Sequence, residues 1–291
     1  MPLPRTLLAA PVLSAALFAT GCAVQPAVAG STSPPVSDAA TLALIDRTLA
    51  GDHRAAANRA RDVYRHPKET LAFFGLRQDM TVMEVWPGGG GWYTEIIAPV
   101  LRDRGRYLAA GWDPKTDSKY MQDGLKAFAA KLAARPDLYG KATVTALQHP
   151  NEMQPVPAGS VDMVLTFRNL HNWMARDAAA PMIAAMYAAL KPGGILGIVE
   201  HRAPATIPQD PRARSGYVRE DHVIALAGAA GFELLGRSEI NTNPKDTKDH
   251  PQGVWSLPPT YREGDANRER YAAIGESDRL TLRFRKPLAD D

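Results

Sequence analysis

The chain has 291 residues, 45% of them hydrophobic, which is enough for one large α/β domain or two small ones. Its 34 basic and 31 acidic residues are scattered, so a net charge of +3 leaves no basic stripe of the kind that tracks a nucleic-acid backbone. The single cysteine excludes an intrachain disulfide.

Arg5 precedes a largely apolar stretch, Leu7 to Ala19, with small residues before Cys22. This is the layout of a secretory signal, and it is too short for a membrane span. Ala19-Thr20-Gly21-Cys22 resembles a bacterial lipobox, in which the cysteine is lipidated after cleavage. Residues 1–22 are thus expected to direct export, with Cys22 as a lipid anchor on the periplasmic side and the only contact with a membrane. Simple cleavage without lipidation is the alternative. Residues 23–37 are uncharged and mostly Pro, Ala, Gly, Ser and Thr, as in a flexible tether.

Residues 38–291 read as one domain, opened by a helical cap over 38–76. Asp38 is placed to N-cap a helix running to about Leu49, a second helical stretch spans Arg54 to Tyr64, and Pro67 opens a third over Lys68 to Phe74. Apolar runs then alternate with helical stretches, the pattern of a parallel sheet with crossover helices. Strands are expected at Thr81–Val85, Arg106–Trp112, Ala142–Leu147, Val161–Phe167, Ile195–His201, Phe232–Ile240 and Arg279–Arg285. Helices are expected near Tyr93–Leu101, Met121–Ala134, Asp177–Leu190 and Glu220–Ala230, the last two stopped by Lys191-Pro192-Gly193-Gly194 and Gly231. The interval 241–278 is polar and Pro-rich, with no helix strong enough for a parallel crossover, so the last strand should enter antiparallel. An interval of this length is either a lid over a ligand or a tolerated surface insertion.

Three places carry chemistry. Val82 to Glu95 reads as a strand, a glycine turn at Gly88 to Gly91 and a helix start, where backbone can approach a ligand and unpaired N–H groups face it. Glu84 is acidic inside that apolar strand, a costly position unless it supports the loop or a ligand amine. Asp113 follows Gly90 by 23 residues at the end of the second strand; it suits two ribose hydroxyls, or it merely starts a turn before Pro114. Arg168, Asn169 and His171 cluster at the carboxyl end of the fourth strand, the edge where open α/β sheets bind ligands. They can fix a substrate or a cofactor's amino-acid end, and His171 can act as a general base or as a structural hydrogen-bonder. Arg168 and His171 are the candidate catalytic groups. No two of the seven histidines have helix-face or HExxH spacing, so no metal site is expected, and no G-x-S-x-G elbow offers a nucleophile.

Together the acidic strand, the glycine turn, Asp113, Leu190-Lys191-Pro192-Gly193-Gly194 and Ala230-Gly231-Phe232 resemble the class I S-adenosylmethionine-dependent methyltransferases over about residues 60 to 286. The likeness is to a bacterial group of exported predicted methyltransferases, which look similar at Arg65 to Thr70, Trp86 to Gly90 and Ile274 to Arg279. It implies a Rossmann-like, mostly parallel seven-stranded sheet of order 3-2-1-4-5-7-6 with strand seven antiparallel. It also implies S-adenosylmethionine as cofactor, contacted by Glu84, Gly88, Gly90 and Asp113, with Asn169 beside its methionine end, and methyl transfer to a small-molecule acceptor by in-line attack. The alternative is a cell-envelope binding protein that kept the fold without catalysis. Two positions depart from the family. Trp86 stands where its first motif has glycine, which predicts a differently shaped turn or an aromatic pocket wall. Gln148 or Asn151 replaces an acidic residue near the adenine.

Overall fold

The computed structural model describes residues 1–2 and 36–288. Residues 3–35, which hold most of the expected signal segment, Cys22 and most of the expected tether, lie outside the described residues. Among those described, no helix is long and apolar enough to cross a membrane.

The cap begins with α1 (Ala39–Leu49), where the Asp38 carboxylate accepts the Thr41 N–H at 2.7 Å and satisfies one of the unpaired donors at the helix start. Where one helix was expected over Arg54 to Tyr64, the chain instead makes two single turns, α2 (Ala56–Arg59) and α3 (Asp62–Arg65). Side chains account for the break. Arg54 is fully buried and grips Asp62 through two hydrogen bonds, and the Trp92 indole N–H donates to the Asn58 carbonyl at 3.0 Å. His66 then takes a left-handed conformation ahead of α4 (Pro67–Phe74), which Pro67 opens and Gly75 closes at φ 78°.

The sheet has seven strands: β1 (Thr81–Val85), β2 (Arg106–Gly111), β3 (Thr143–Ala146), β4 (Val161–Phe167), β5 (Leu190–His201), β6 (Glu233–Ser238) and β7 (Arg279–Arg285). Their order is β3-β2-β1-β4-β5-β7-β6. β1 to β5 pair in parallel, and β7 runs antiparallel to both its neighbours. This is the expected order and the expected reversal. The connecting helices are α5 (Thr94–Leu101), α6 (Lys119–Ala134), the single turn α7 (Pro136–Tyr139), α8 (Leu170–Met174), α9 (Ala179–Ala189) and α10 (Glu220–Ala229).

Both faces of the central strands are buried, as crossover helices require. Met83 and Val85 of β1 join one core with α9, while Val82 joins the other with α5. By the two-residue period of a strand, Glu84 shares the second face with Val82.

Several ends shift by one or two residues, and three places differ from expectation for a visible reason. Lys191 to Gly194 stop α9 as read, but they already belong to β5; the ladder slips between Val161 and Met163, and Gly193 at φ 78° bonds the Lys286 carbonyl. β6 ends at Ser238 because its hydroxyl accepts the Ile240 N–H and Thr242 N–H turns back to the Glu239 carbonyl. The interval 241–278 is not without structure: it holds a 3-10 turn, Gly253–Ser256, and α11 (Arg268–Ile274). Asp246 anchors it, accepting from the Tyr217 hydroxyl, the His250 ring and the Asp278 N–H.

Candidate functional site

The carboxyl ends of β1, β4 and β5 open into a cavity of about 470 Å³, within the range of small-molecule sites. Its walls come from the cap, the glycine turn, the β4 end and the 241–278 interval.

The glycine turn leaves β1 through Trp86, which sits at φ 52°. That left-handed conformation costs a residue with a side chain about 1 kcal/mol or more, and the position is the one where the methyltransferase motif carries glycine. Packing holds Trp86 there. Its ring meets Trp112 and Trp173 edge-on at 6.0 and 5.7 Å, and its N–H donates to the Leu147 carbonyl at 2.7 Å. Of the two expected consequences, the aromatic cavity wall is present, with Trp86, Trp92 and Trp112 lining it. At Gly88 and Gly90 an added Cβ would meet nothing within 4 Å, so the backbone there borders open space.

Beneath the turn lies Glu84, 2% exposed. It accepts the Tyr107 hydroxyl at 2.6 Å and the Thr94 hydroxyl at 3.0 Å, and burial raises its pKa to about 7. Thr94 thus ties the first turn of α5 to β1. Asn169 braces the turn from the other side, its amide donating to the Val85 and Trp86 carbonyls at 2.9 and 3.3 Å.

His171 opens α8 beside the end of β5. Its Nδ1 lies 3.0 Å from Glu200 Oε1, and its Nε2 lies 3.0 Å from the Asn172 amide. A carboxylate on one side and an amide donor on the other select the tautomer with the proton on Nδ1. Glu200, fully buried, also accepts the backbone N–H groups of His171 and His201. The two histidine rings are 5.3 Å apart, and burial together with neighbouring His171 and arginine charges pushes the His201 pKa well below its ordinary value. His171, Glu200 and His201 bring ligand-type atoms within 4.8 Å of one another, a metal-like grouping that no spacing in the sequence foreshadowed. The Glu200 oxygens are already taken by three N–H donors, and the same positive field that depresses His201 opposes a cation.

That field comes from Arg61, Arg65, Arg168 and Arg279, which converge on one carboxylate, Glu276. Burial would push the Glu276 pKa up, but Arg279, Arg65, Arg61 and Arg168 hold it far below the carboxylate range. Arg65 lies over the Trp92 ring at 4.6 Å. Arg168 adopts φ 61°, its N–H donating to the Val199 carbonyl at 2.7 Å, and burial followed by Arg279 lowers its pKa to about 10.

Of the expected residues, Glu84, Gly88, Gly90, Arg168, Asn169 and His171 line this one cavity. Asp113 does not. It stands just beyond Trp112, which does line the cavity, and its carboxylate accepts the Lys115 N–H at 2.8 Å and the Asn151 amide at 3.3 Å. Gln148 is engaged too, accepting the Asp113 N–H at 3.1 Å. Both replacements for the family's acidic residue are therefore joined to Asp113. The 241–278 interval contributes Trp255, Pro258 and Thr260 to the wall.

Solved structures share this architecture. A SAM-dependent methyltransferase from Aquifex aeolicus matches at 15% identity over 84% of this chain and 98% of its own, with a TM-score of 0.51. The [4+2]-cyclase SpnF matches at 19% identity over 88% and 98%, with a TM-score of 0.53. The fold is that of the class I methyltransferases. No family model and no curated protein matches the chain by sequence. A methyltransferase and a cyclase on one fold leave the reaction to be argued from the site.

Within the class I fold, Arg61, Arg65, Glu200, Glu276 and Arg279 belong to the cavity or its immediate support, and sequence reasoning gave none of them a role. Glu200 carried a usable signal. It is an acidic residue closing the apolar run Ile195 to Val199, the same pattern that singled out Glu84. Arg65, Glu276 and Arg279 lie in two of the stretches that carry the family likeness, but nothing in the sequence showed that these distant segments meet.

Proposed function

We propose that this chain is an S-adenosylmethionine-dependent methyltransferase acting on a small-molecule acceptor. The observation that carries the reading is that the glycine turn of a class I fold and a carboxylate-oriented histidine line one cavity. The cavity fits the cofactor chemically. Open space borders Gly88 and Gly90, while the buried Trp112 indole N–H lacks a partner, leaving a donor to be satisfied. Glu84, Gly88, Gly90 and Asn169 would hold the cofactor, and Asp113 would join them by exchanging its Asn151 contact for ribose hydroxyls. When bound, S-adenosylmethionine supplies an electrophilic methyl group on a sulfonium.

The protein's own contribution is positioning and one proton. His171 Nε2 accepts the proton released by the acceptor, displacing the Asn172 amide, and Glu200 stabilises the resulting imidazolium through the Nδ1–H. Arg168 orients the acceptor. The reading includes export and a lipid anchor at Cys22, checked by mass spectrometry of the mature N-terminus; a free residue downstream of Cys22 would remove the anchor.

Calorimetric titration of the full chain with S-adenosylmethionine tests the cofactor assignment. Wild type should bind. Gly90→Val should fold, since the first added carbon meets nothing within 4 Å, yet lose binding by filling the cradle. No heat from wild type at about millimolar ligand, where even a weak site registers, sinks the reading.

A further inference from the structure

The cavity gathers far more positive charge than its own carboxylate can answer. Arg61 and Arg65 come from the cap, Arg279 from the start of β7, and Arg168 from the end of β4. Glu276 accepts from Arg61 Nε, Arg65 Nε and an Arg279 terminal nitrogen, so its two oxygens already serve three guanidiniums. Nothing is left for Arg168, whose guanidinium makes no hydrogen bond or ion pair among the described residues. Arg65 is 2% exposed and its Nη1 has no partner; Arg279 is equally buried and its Nε has none. A buried guanidinium nitrogen without an acceptor is costly, and several around one space are complementary to a group presenting more than one oxygen and negative charge. The left-handed backbone at Arg168 points the same way, because such strain persists only where surrounding structure enforces it.

We propose that this end of the cavity is an anion subsite and that the methyl acceptor presents a compact oxyanion, a carboxylate or phosphate, to Arg168, with Arg65, Arg61 and Arg279 around it. The proposal rests on the methyl-transfer reading for the word acceptor, but the subsite itself does not. Three of the four arginines come from the cap and from β7, not from the glycine turn or the β2 end that would face the cofactor's nucleoside. The same four charges select against a cationic amine. With the anion bound at Arg168, the acceptor's reacting atom is left to face His171, three residues along the chain and on the same cavity wall.

The full chain is titrated calorimetrically with inorganic phosphate at fixed ionic strength, alone and with saturating S-adenosylhomocysteine. Phosphate should bind in both cases, and Arg168→Gln should weaken it by at least about tenfold, the loss of one charge-assisted contact. Arg61→Gln, at a partly exposed position, should weaken it as well and guards against a folding defect in the first variant. Absence of phosphate binding in wild type, or wild-type affinity in both variants, overturns the subsite. Competition between phosphate and S-adenosylhomocysteine overturns the acceptor assignment, since the anion would then be the cofactor's own carboxylate. Failure of S-adenosylhomocysteine to bind, with phosphate binding intact, would instead strike the methyl-transfer reading.

Discussion

Glu84→Gln isolates the cost of keeping a carboxyl group beneath the glycine turn. In the folded chain burial holds the Glu84 pKa at about 7, against an ordinary value of 4.5. Between those values the folded state keeps a proton that the unfolded state releases, so stability falls as pH rises. Its contribution is whole below about 4.5 and lost above about 7. Roughly two and a half pH units at about 1.4 kcal/mol each give a loss of about 3 kcal/mol. Glutamine does not ionise, and its carbonyl can accept the Tyr107 and Thr94 hydroxyls in the same place. The stability of Glu84→Gln relative to wild type should therefore rise by about 3 kcal/mol between about pH 4.5 and pH 8. Urea unfolding of both chains across that range measures the difference, in which every other titrating group cancels. A difference that stays flat, or that moves against glutamine with rising pH, would refute the account of Glu84 as a desolvated carboxyl with a raised pKa.

Further perturbations test the rest of the site. Arg168→Gln removes a guanidinium that lacks a partner; with its pKa near 10 the cost is constant at neutral pH, and discounted for partial exposure the variant should gain about 1–2 kcal/mol in urea unfolding. Glu276→Gln leaves three guanidiniums, two of them buried, without their shared carboxylate and should lose about 3–5 kcal/mol by the same assay. Trp86→Gly relieves the left-handed backbone but deletes an indole packed between two others, so thermal unfolding should register a net loss of about 2–3 kcal/mol.

The sheet was legible because its signals are local. β1, β4 and β7 begin and end where they were read, and the reversal of β7 was expected because no strong helix is legible in 241–278, where the folded chain holds only the short α11 and a 3-10 turn. The β1 and β4 termini were legible as binding positions because each puts a polar or glycine-rich cluster at a strand end. Elsewhere tertiary contacts decided the outcome. The Arg54–Asp62 pair and the Trp92 indole broke the expected helix over Arg54 to Tyr64, and no periodicity reports such contacts. Asp113 was legible as an acid at a strand end, but its tie to the Asn151 amide was not, because that contact crosses from beyond the third strand. The arginine cluster was invisible for a related reason, since Arg61 and Glu276 are 215 positions apart. The His171–Glu200 pair joins two strand ends that become neighbours only when β4 and β5 pair.

The place of β7 in the sheet has a consequence for timing. It is the last of the seven strands in the chain, yet it inserts between β5 and β6 and brings Glu276 and Arg279 with it. Synthesis and translocation deliver a chain from its N-terminus, so Arg61 and Arg65 emerge long before the carboxylate that lets them stay buried. Until β7 arrives, β5 keeps an open edge and the arginines repel one another, so a partly delivered chain cannot assemble the cavity. On the proposed export route, the site would first exist only after the final strand had crossed, on the far side of the membrane from where the chain was made.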